Sequence, residues 1–168
     1  PAGATAAPAG ALTVAVFREG AEVEVEVTPA LLGSAIDPRL VIWAGLVLRR
    51  TPRCVLERCG DSVASAAGGV FVQNILGGSP ADARDMIPFS FLMELGGTPV
   101  QDLGDVLRAV AAPAAGGRGP LERSWVRLRL LDLYGNEHVR AICVDPLFFP
   151  TLDLRQADDG GWECVQCA

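Results

Sequence analysis

The chain has 168 residues, 50% of them hydrophobic, with 20 acidic side chains against 14 basic ones and a net charge of −6. That length fits one domain of ordinary size plus attachments, and no apolar run reaches the roughly 18 to 20 residues of a membrane-spanning helix. The acidic balance offers no basic stripe for a phosphate backbone, so neither membrane insertion nor a nucleic-acid partner is expected.

The opening "PAGATAAPAG" has no basic region leading into an apolar one. Residues 1–10 therefore read as an interior linker of Pro, Ala and Gly, and the chain as a fragment of a longer one. Residues 11–39 hold a β-hairpin and a connector. Leu12, Val14 and Val16, then Val23, Val25 and Val27, alternate on either side of a Glu19-Gly20 tip, and this row of valines is expected to begin the core. Pro29 and Pro38 bracket the connector "ALLGSAID", and a strand follows from Leu40 to Leu48. Residues 49–68, with a short helical run around "RCVLERC" and the small-residue stretch "SVASAAGG", read as a partly mobile excursion between two strands.

"GVFVQNI" is strand-like in its β-branched and aromatic content, and "GGSPADARDM" places Ser79 as N-cap and Pro80 at the first position of a short helix. "PFSFLMELGGTPV" is a strand closed by a Gly-Gly turn. In the helix "VQDLGDVLRAVAA", Leu103, Val106, Leu107 and Val110 share one face. Gly104 costs that helix about 1 kcal/mol relative to Ala. A second patch, "APAAGGRGP", precedes the hairpin "SWVRLRLLDLYGNEHVRAICVD", whose turn is Tyr134-Gly135-Asn136. The remainder, "PLFFPTLDLRQADDGGWECVQCA", is rich in turn residues and reads as an extended surface tail with a disordered end.

Five cysteines, an odd number without framework spacing, argue for a reducing intracellular compartment. Cys164 and Cys167 form a C-x-x-C, yet a structural zinc needs about four ligands and His138 is remote, so no metal and no cofactor are expected. His138 is also the one imidazole that could serve a nucleophile. No G-x-S-x-G elbow or phosphate-binding Gly-rich loop is present, so no catalytic site is expected in this chain.

Three motifs in register, "WAGL", "GVFVQNILGGSPADARDM" and "FLMELGGTPVQDLGDVLRAV", resemble the circularly permuted PDZ domain of HtrA/Deg serine proteases. With the flanks "RLVIWAGLVL", "VRLRLLDLYGNEHV" and "DPLFFPTLDLR", the resemblance is closest to the last PDZ domain of the Deg7/Nma111 group. It implies a mixed α+β fold, a partly open antiparallel β-barrel or sandwich capped by two helices, spanning residues 40–146. The hairpin precedes it, either as an extra N-terminal element or as the end of a preceding PDZ-like domain, and a C-terminal extension, 147–168, follows.

The resemblance further implies a module that binds C-terminal or unfolded peptide segments by strand addition, in service of proteolysis and protein quality control, with a trypsin-like catalytic domain elsewhere in the parent. Family members suggest chloroplast or nucleus. The amides of Ala44, Gly45 and Leu46 would take the peptide carboxylate, with Trp43 at the base of the loop. Val47 and Leu48 would pair with the peptide, and Leu103, Val106, Leu107 and Val110 would line its side-chain pocket. Gly45 would then let the ligand backbone approach, and Gly45→Val would block binding while sparing the fold. In the alternative reading Gly45 marks a bulge, the helix face fills the core, and the groove is blocked by the chain's own linker or tail. The domain then holds other domains or protomers together.

Overall fold

The computed structural model describes residues 10–28, 38–111, 124–157 and 160–167. The linker up to residue 9, the connector and the "APAAGGRGP" patch lie outside these described residues. The chain divides into two compact units, residues 1–35 and 36–168.

The first unit is the hairpin read from the sequence. Strands β1 (Leu12–Arg18) and β2 (Ala21–Val27) pair antiparallel with Leu12 opposite Val27, Val14 opposite Val25 and Val16 opposite Val23. Every side chain in both strands is exposed. None of these valines is among the buried hydrophobic residues, which run from Val41 to Val144.

Among the described residues, the second unit is an open, wholly antiparallel sheet with three short helices. Its strands are β3 (Arg39–Trp43), β4 (Leu46–Arg50), β5 (Val70–Ile75), β6 (Ser90–Leu95), β7 (Thr98–Pro99), β8 (Ser124–Leu131), β9 (Glu137–Val144), β10 (Thr151–Gln156) and β11 (Trp162–Cys167). They run in the order β11-β10-β3-β4-β5-β6-β8-β9, with β7 pairing off β6, and the two ends of the order do not meet, so no barrel closes. The tail expected to run extended along the surface is the hairpin β10–β11, drawn into the sheet by pairing with β3.

Both faces of the central strands are buried. On one face, Val41, Trp43, Leu48, Val72, Leu92, Leu128 and Ile142 build the larger cluster beneath helix α3 (Leu103–Ala111). On the other, Phe71, Phe91 and Leu131 gather with Val63, and the Phe71 and Phe91 rings lie 5.5 Å apart at 59°, a tilted geometry that suits the ring quadrupoles. This second cluster explains the excursion. Helices α1 (Arg53–Leu56) and α2 (Asp61–Ala66) bring Val55, Leu56, Cys59 and Val63 over the two phenylalanines. The ends of the excursion are tied by Thr51, whose N–H donates to the Gly69 carbonyl at 2.9 Å and whose hydroxyl donates to the Gly68 carbonyl at 2.9 Å.

The short helix after "GGSPA" is reduced to one 3-10 turn, Asp82–Arg84. Ser79 still caps it, accepting at Oγ from the Asp82 N–H (3.2 Å). At the start of α3, Asp102 Oδ1 accepts from the Asp105 N–H at 2.8 Å, and Asp105 Oδ2 accepts from the N–H groups of Gln101 (2.8 Å) and Asp102 (3.2 Å). This is a reciprocal cap built from two aspartates. The Gln101 N–H foremost, with Arg108 and the Asp102 N–H, holds the Asp105 carboxyl below the usual carboxylate range against the opposing effect of desolvation.

Candidate functional site

The stretch "RLVIWAGLVLRR" does not form one strand. It folds on itself at Ala44-Gly45, where both residues take positive φ (50° and 89°), the backbone of a two-residue turn whose twist matches a hairpin. Trp43 then faces Leu46, Ile42 faces Val47, Val41 faces Leu48 and Leu40 faces Arg49. The turn is sealed from outside by residues 76–81. The Leu76 N–H donates to the Gly45 carbonyl at 2.8 Å and the Ala81 N–H to the Ala44 carbonyl at 3.1 Å. A Cβ on Gly45 would stand 2.0 Å from Ser79 Oγ, so the glycine makes room for Ser79. Ala44 and Leu46 are fully buried and Trp43 nearly so.

The unpaired edge expected at Val47 and Leu48 is occupied. On one side these residues pair with Ile42 and Val41 of β3, and on the other with Asn74 and Val72 of β5. The register of the second pairing shifts between Val47 and Leu48. This leaves Gln73 as the extra residue of a bulge, with its side-chain oxygen accepting from Arg49 Nη1 at 3.2 Å. β3 is continued outward by β10, Leu152 facing Ile42 and Asp153 facing Val41. Both edges of β4 are thus paired within the chain.

The structure brings most of the ten expected site residues together, but as core. Trp43, Ala44, Leu46, Leu48, Leu103 and Val106 belong to one buried cluster, with Leu107 and Val110 packed against it half-buried. Gly45 closes the turn beside them, while Val47 is half-buried outside that cluster.

The group that sequence reading missed is a charged clasp across β3 and β10. Asp153 is 2% exposed and accepts from Arg39 through Nε (2.8 Å) and Nη2 (3.0 Å), and from Arg155 through Nε (3.1 Å) and Nη2 (2.7 Å). Arg39, then Arg155, hold its carboxyl below the usual range, outweighing the desolvation that opposes them. Nothing in "TLDLRQ" marks its aspartate as buried, because the partner Arg39 lies 114 positions away.

His138 has its Nε2 3.1 Å from Asp132 Oδ2 at the mouth of the β8–β9 turn. Asn136 foremost, with His138 and two backbone N–H groups, keeps the Asp132 carboxyl far below its ordinary value. These bonds organise the turn. Cys54, Cys59, Cys143 and Cys164 are free thiols. Among the described residues no group of three or more His, Cys, Asp or Glu is placed to hold a metal ion, and no helix is long and apolar enough to cross a membrane.

Strand, tight turn, strand, excursion, strand, 3-10 turn, strand, helix and closing hairpin follow one another in the order expected of a mixed α+β, PDZ-like domain of the HtrA type. No family model matches the chain. A PDZ domain-containing protein of Schizosaccharomyces pombe is 29% identical over 153 residues, which cover 90% of this chain and 14% of that protein, so the chain spans only a small part of this relative's length. Among solved structures, the HtrA3 PDZ domain bound to a phage-derived ligand is 17% identical with a TM-score of 0.40, over 76% of this chain and 91% of that one. The HtrA-type protease AlgW with a decapeptide is 13% identical with a TM-score of 0.45, over 80% of this chain and 40% of that one.

Proposed function

We propose that this chain is a PDZ-type protein-interaction module in which its own β3 stands where a captured peptide would add. Its task is then to hold neighbouring domains or protomers of a larger HtrA/Deg-like serine protease, most like the Deg7/Nma111 group. The observation that carries this reading is the pairing of β4 on both edges, by β3 and by β5. The buried Ala44-Gly45 turn supports it, since an amide nest for a terminal carboxylate needs open backbone N–H groups. The PDZ-containing relative, which extends far beyond this chain, supports a module within a larger protein.

The test is a fluorescence-polarisation titration of labelled peptides with free hydrophobic C-termini. Wild type is expected to bind none with Kd below about 100 μM, because displacing β3 forfeits the pairing of a whole strand before any ligand contact is gained. Low-micromolar binding that depends on the free carboxylate would overturn the reading in favour of peptide capture by strand addition. In that case Ile42→Cys with Val47→Cys, directly opposed across β3 and β4, would remove the binding on oxidation by locking the strand in place.

Proteolysis in this reading belongs to residues outside the chain. Unfolded casein incubated with it should remain intact. Turnover abolished by His138→Ala would instead place a catalytic base here.

A further inference from the structure

The hairpin of the first unit repeats the closing hairpin of the second in register. Both strands run into a proline two residues past their last strand residue, Val27-Thr28-Pro29 and Val144-Asp145-Pro146. Counted back from that proline, Val27 and Val25 fall on Val144 and Ile142, and their cross-strand partners Leu12 and Val14 on Ser124 and Val126. One pair further, Val23 and Val16 fall on Arg140 and Leu128. The turns differ, Glu19-Gly20 against residues 132–136, so the repeat lies in the strands.

In β8–β9 this face is core. Leu128 and Ile142 are fully buried, Val144 is nearly so, and Val126 packs against their cluster. The opposite face, with Trp125, Arg127, Val139 and Ala141, is exposed. β1–β2 makes the same division in composition, with aliphatic side chains on one face and Glu22, Glu24 and Glu26, opposite Phe17, Ala15 and Thr13, on the other. Its aliphatic face is nevertheless uncovered, with Leu12, Val14, Val16, Val23, Val25 and Val27 between 38 and 57% exposed. Two strands alone are marginal in water and need a third strand or a packed layer. In the second unit β6 supplies the third strand, Leu92 facing Leu130 and Leu95 facing Leu128, and Val100, Leu103 and Val106 belong to the layer. No third strand joins β1 or β2 among the described residues.

We propose that β1–β2 is the closing hairpin of another antiparallel domain of the parent protein, built on the plan of the second unit, with its remaining strands preceding residue 1. The valine face takes that domain's apolar core, a strand equivalent to β6 adds to β1, and the glutamate face is the solvent side. A second copy of the hairpin is the weaker occupant, since six aliphatic side chains fall far short of the roughly 20 to 30 residues a side of a stable interface. A domain in the same chain loses no freedom of association. The inference rests on the reading of the chain as one module of a larger protein, and is independent of whether the β4 edge opens.

The test is amide hydrogen exchange on this chain at low micromolar concentration and on a longer chain that starts about 100 residues further upstream in the parent. The β1 and β2 amides should exchange freely in the first and be slowed by about 100-fold or more in the second. The β8 amides, protected in both, serve as the internal reference. In the longer chain, Val14→Thr with Val25→Thr keeps shape and strand propensity but puts two hydroxyls in the new core, and should reduce hairpin protection by about 10-fold or more. Ala15→Ser with Glu24→Gln, on the other face, should change it by less than about 2-fold. Hairpin amides as protected in this chain as in the longer one, or unprotected in both, would overturn the assignment. So would equal losses in the two double variants. Protection in this chain that rises with its concentration would give the face to a second copy instead. None of these outcomes involves the free-carboxylate peptides that test the occupied β4 edge.

Discussion

Gly45→Val is expected to destabilise the second unit by about 3 kcal/mol or more, a large share of the roughly 5 to 15 kcal/mol that holds a domain folded. Two costs add. Gly45 holds φ at 89°, in the left-handed region that costs an L-residue about 1 to 2 kcal/mol and a β-branched one most. The new Cβ would also stand 2.0 Å from Ser79 Oγ and 2.1 Å from Ser79 Cβ, an overlap that must be relieved by moving one partner. Ser79 cannot yield cheaply, since it is 1% exposed, its Oγ accepts from the Asp82 N–H and its carbonyl from the Ala83 N–H. Urea denaturation of wild type, Gly45→Val, Ser79→Gly and the double variant measures both parts. Ser79→Gly should recover the steric share and leave the backbone share, a coupling of about 1 to 3 kcal/mol. A Gly45→Val protein as stable as wild type would show that the turn is open, as a ligand-binding loop requires.

That outcome differs from the one the sequence suggests, and the difference lies in a single fold of the chain. Alternation and turn residues make β1 and β2 legible, and likewise β8 and β9, because each hairpin needs only its own neighbours in sequence. The helix face of Leu103, Val106, Leu107 and Val110 is legible for the same reason. "RLVIWAGLVL" is not, because an Ala at φ 50° gives no warning of a two-residue turn, a position where Asn, Asp or Gly is usual. Read straight, the stretch is one strand with a free edge. Folded at Ala44-Gly45, it is two strands that satisfy each other.

The tail escaped for a different reason. "TLDLRQ" has modest strand propensity and lies among turn residues, and what makes it a strand is the β3 edge more than a hundred residues earlier. The excursion at 49–68 reads from the sequence as partly mobile because four-residue α1 and six-residue α2 are too short to hold as isolated helices. They exist because Phe71 and Phe91 face that side of the sheet and need cover.

Asp153→Ala should cost about 2 to 3 kcal/mol at pH 7, and its chief effect should be on β3. Deleting one partner of a buried ion pair leaves the others uncompensated, typically at about 3 to 5 kcal/mol. The figure here falls at or below the low end because the side chains of Arg39 and Arg155 remain 29% and 56% exposed and can rehydrate. The pH dependence separates charge from packing. The folded carboxyl is held below its ordinary value by Arg39 and Arg155, so its contribution is present above the unfolded-state pKa of about 3.9 and is lost as pH falls through the lower folded value. Wild type and Asp153→Ala should therefore differ most at neutral pH and converge as pH falls below about 4 in urea titrations. A gap unchanged between pH 7 and pH 3 would assign the effect to lost volume instead. Asp153 joins β10 to the first residue of β3, and β3 covers the edge of β4. Loosening the clasp therefore raises the population of molecules whose β4 edge is open. Free-carboxylate peptides that wild type ignores should bind weakly to Asp153→Ala, with apparent affinity reduced by the fraction of time β3 is displaced. Amide hydrogen exchange along Leu40–Trp43 should speed up in parallel. If exchange there is unaltered while global stability falls, Asp153 supports the fold without guarding the edge.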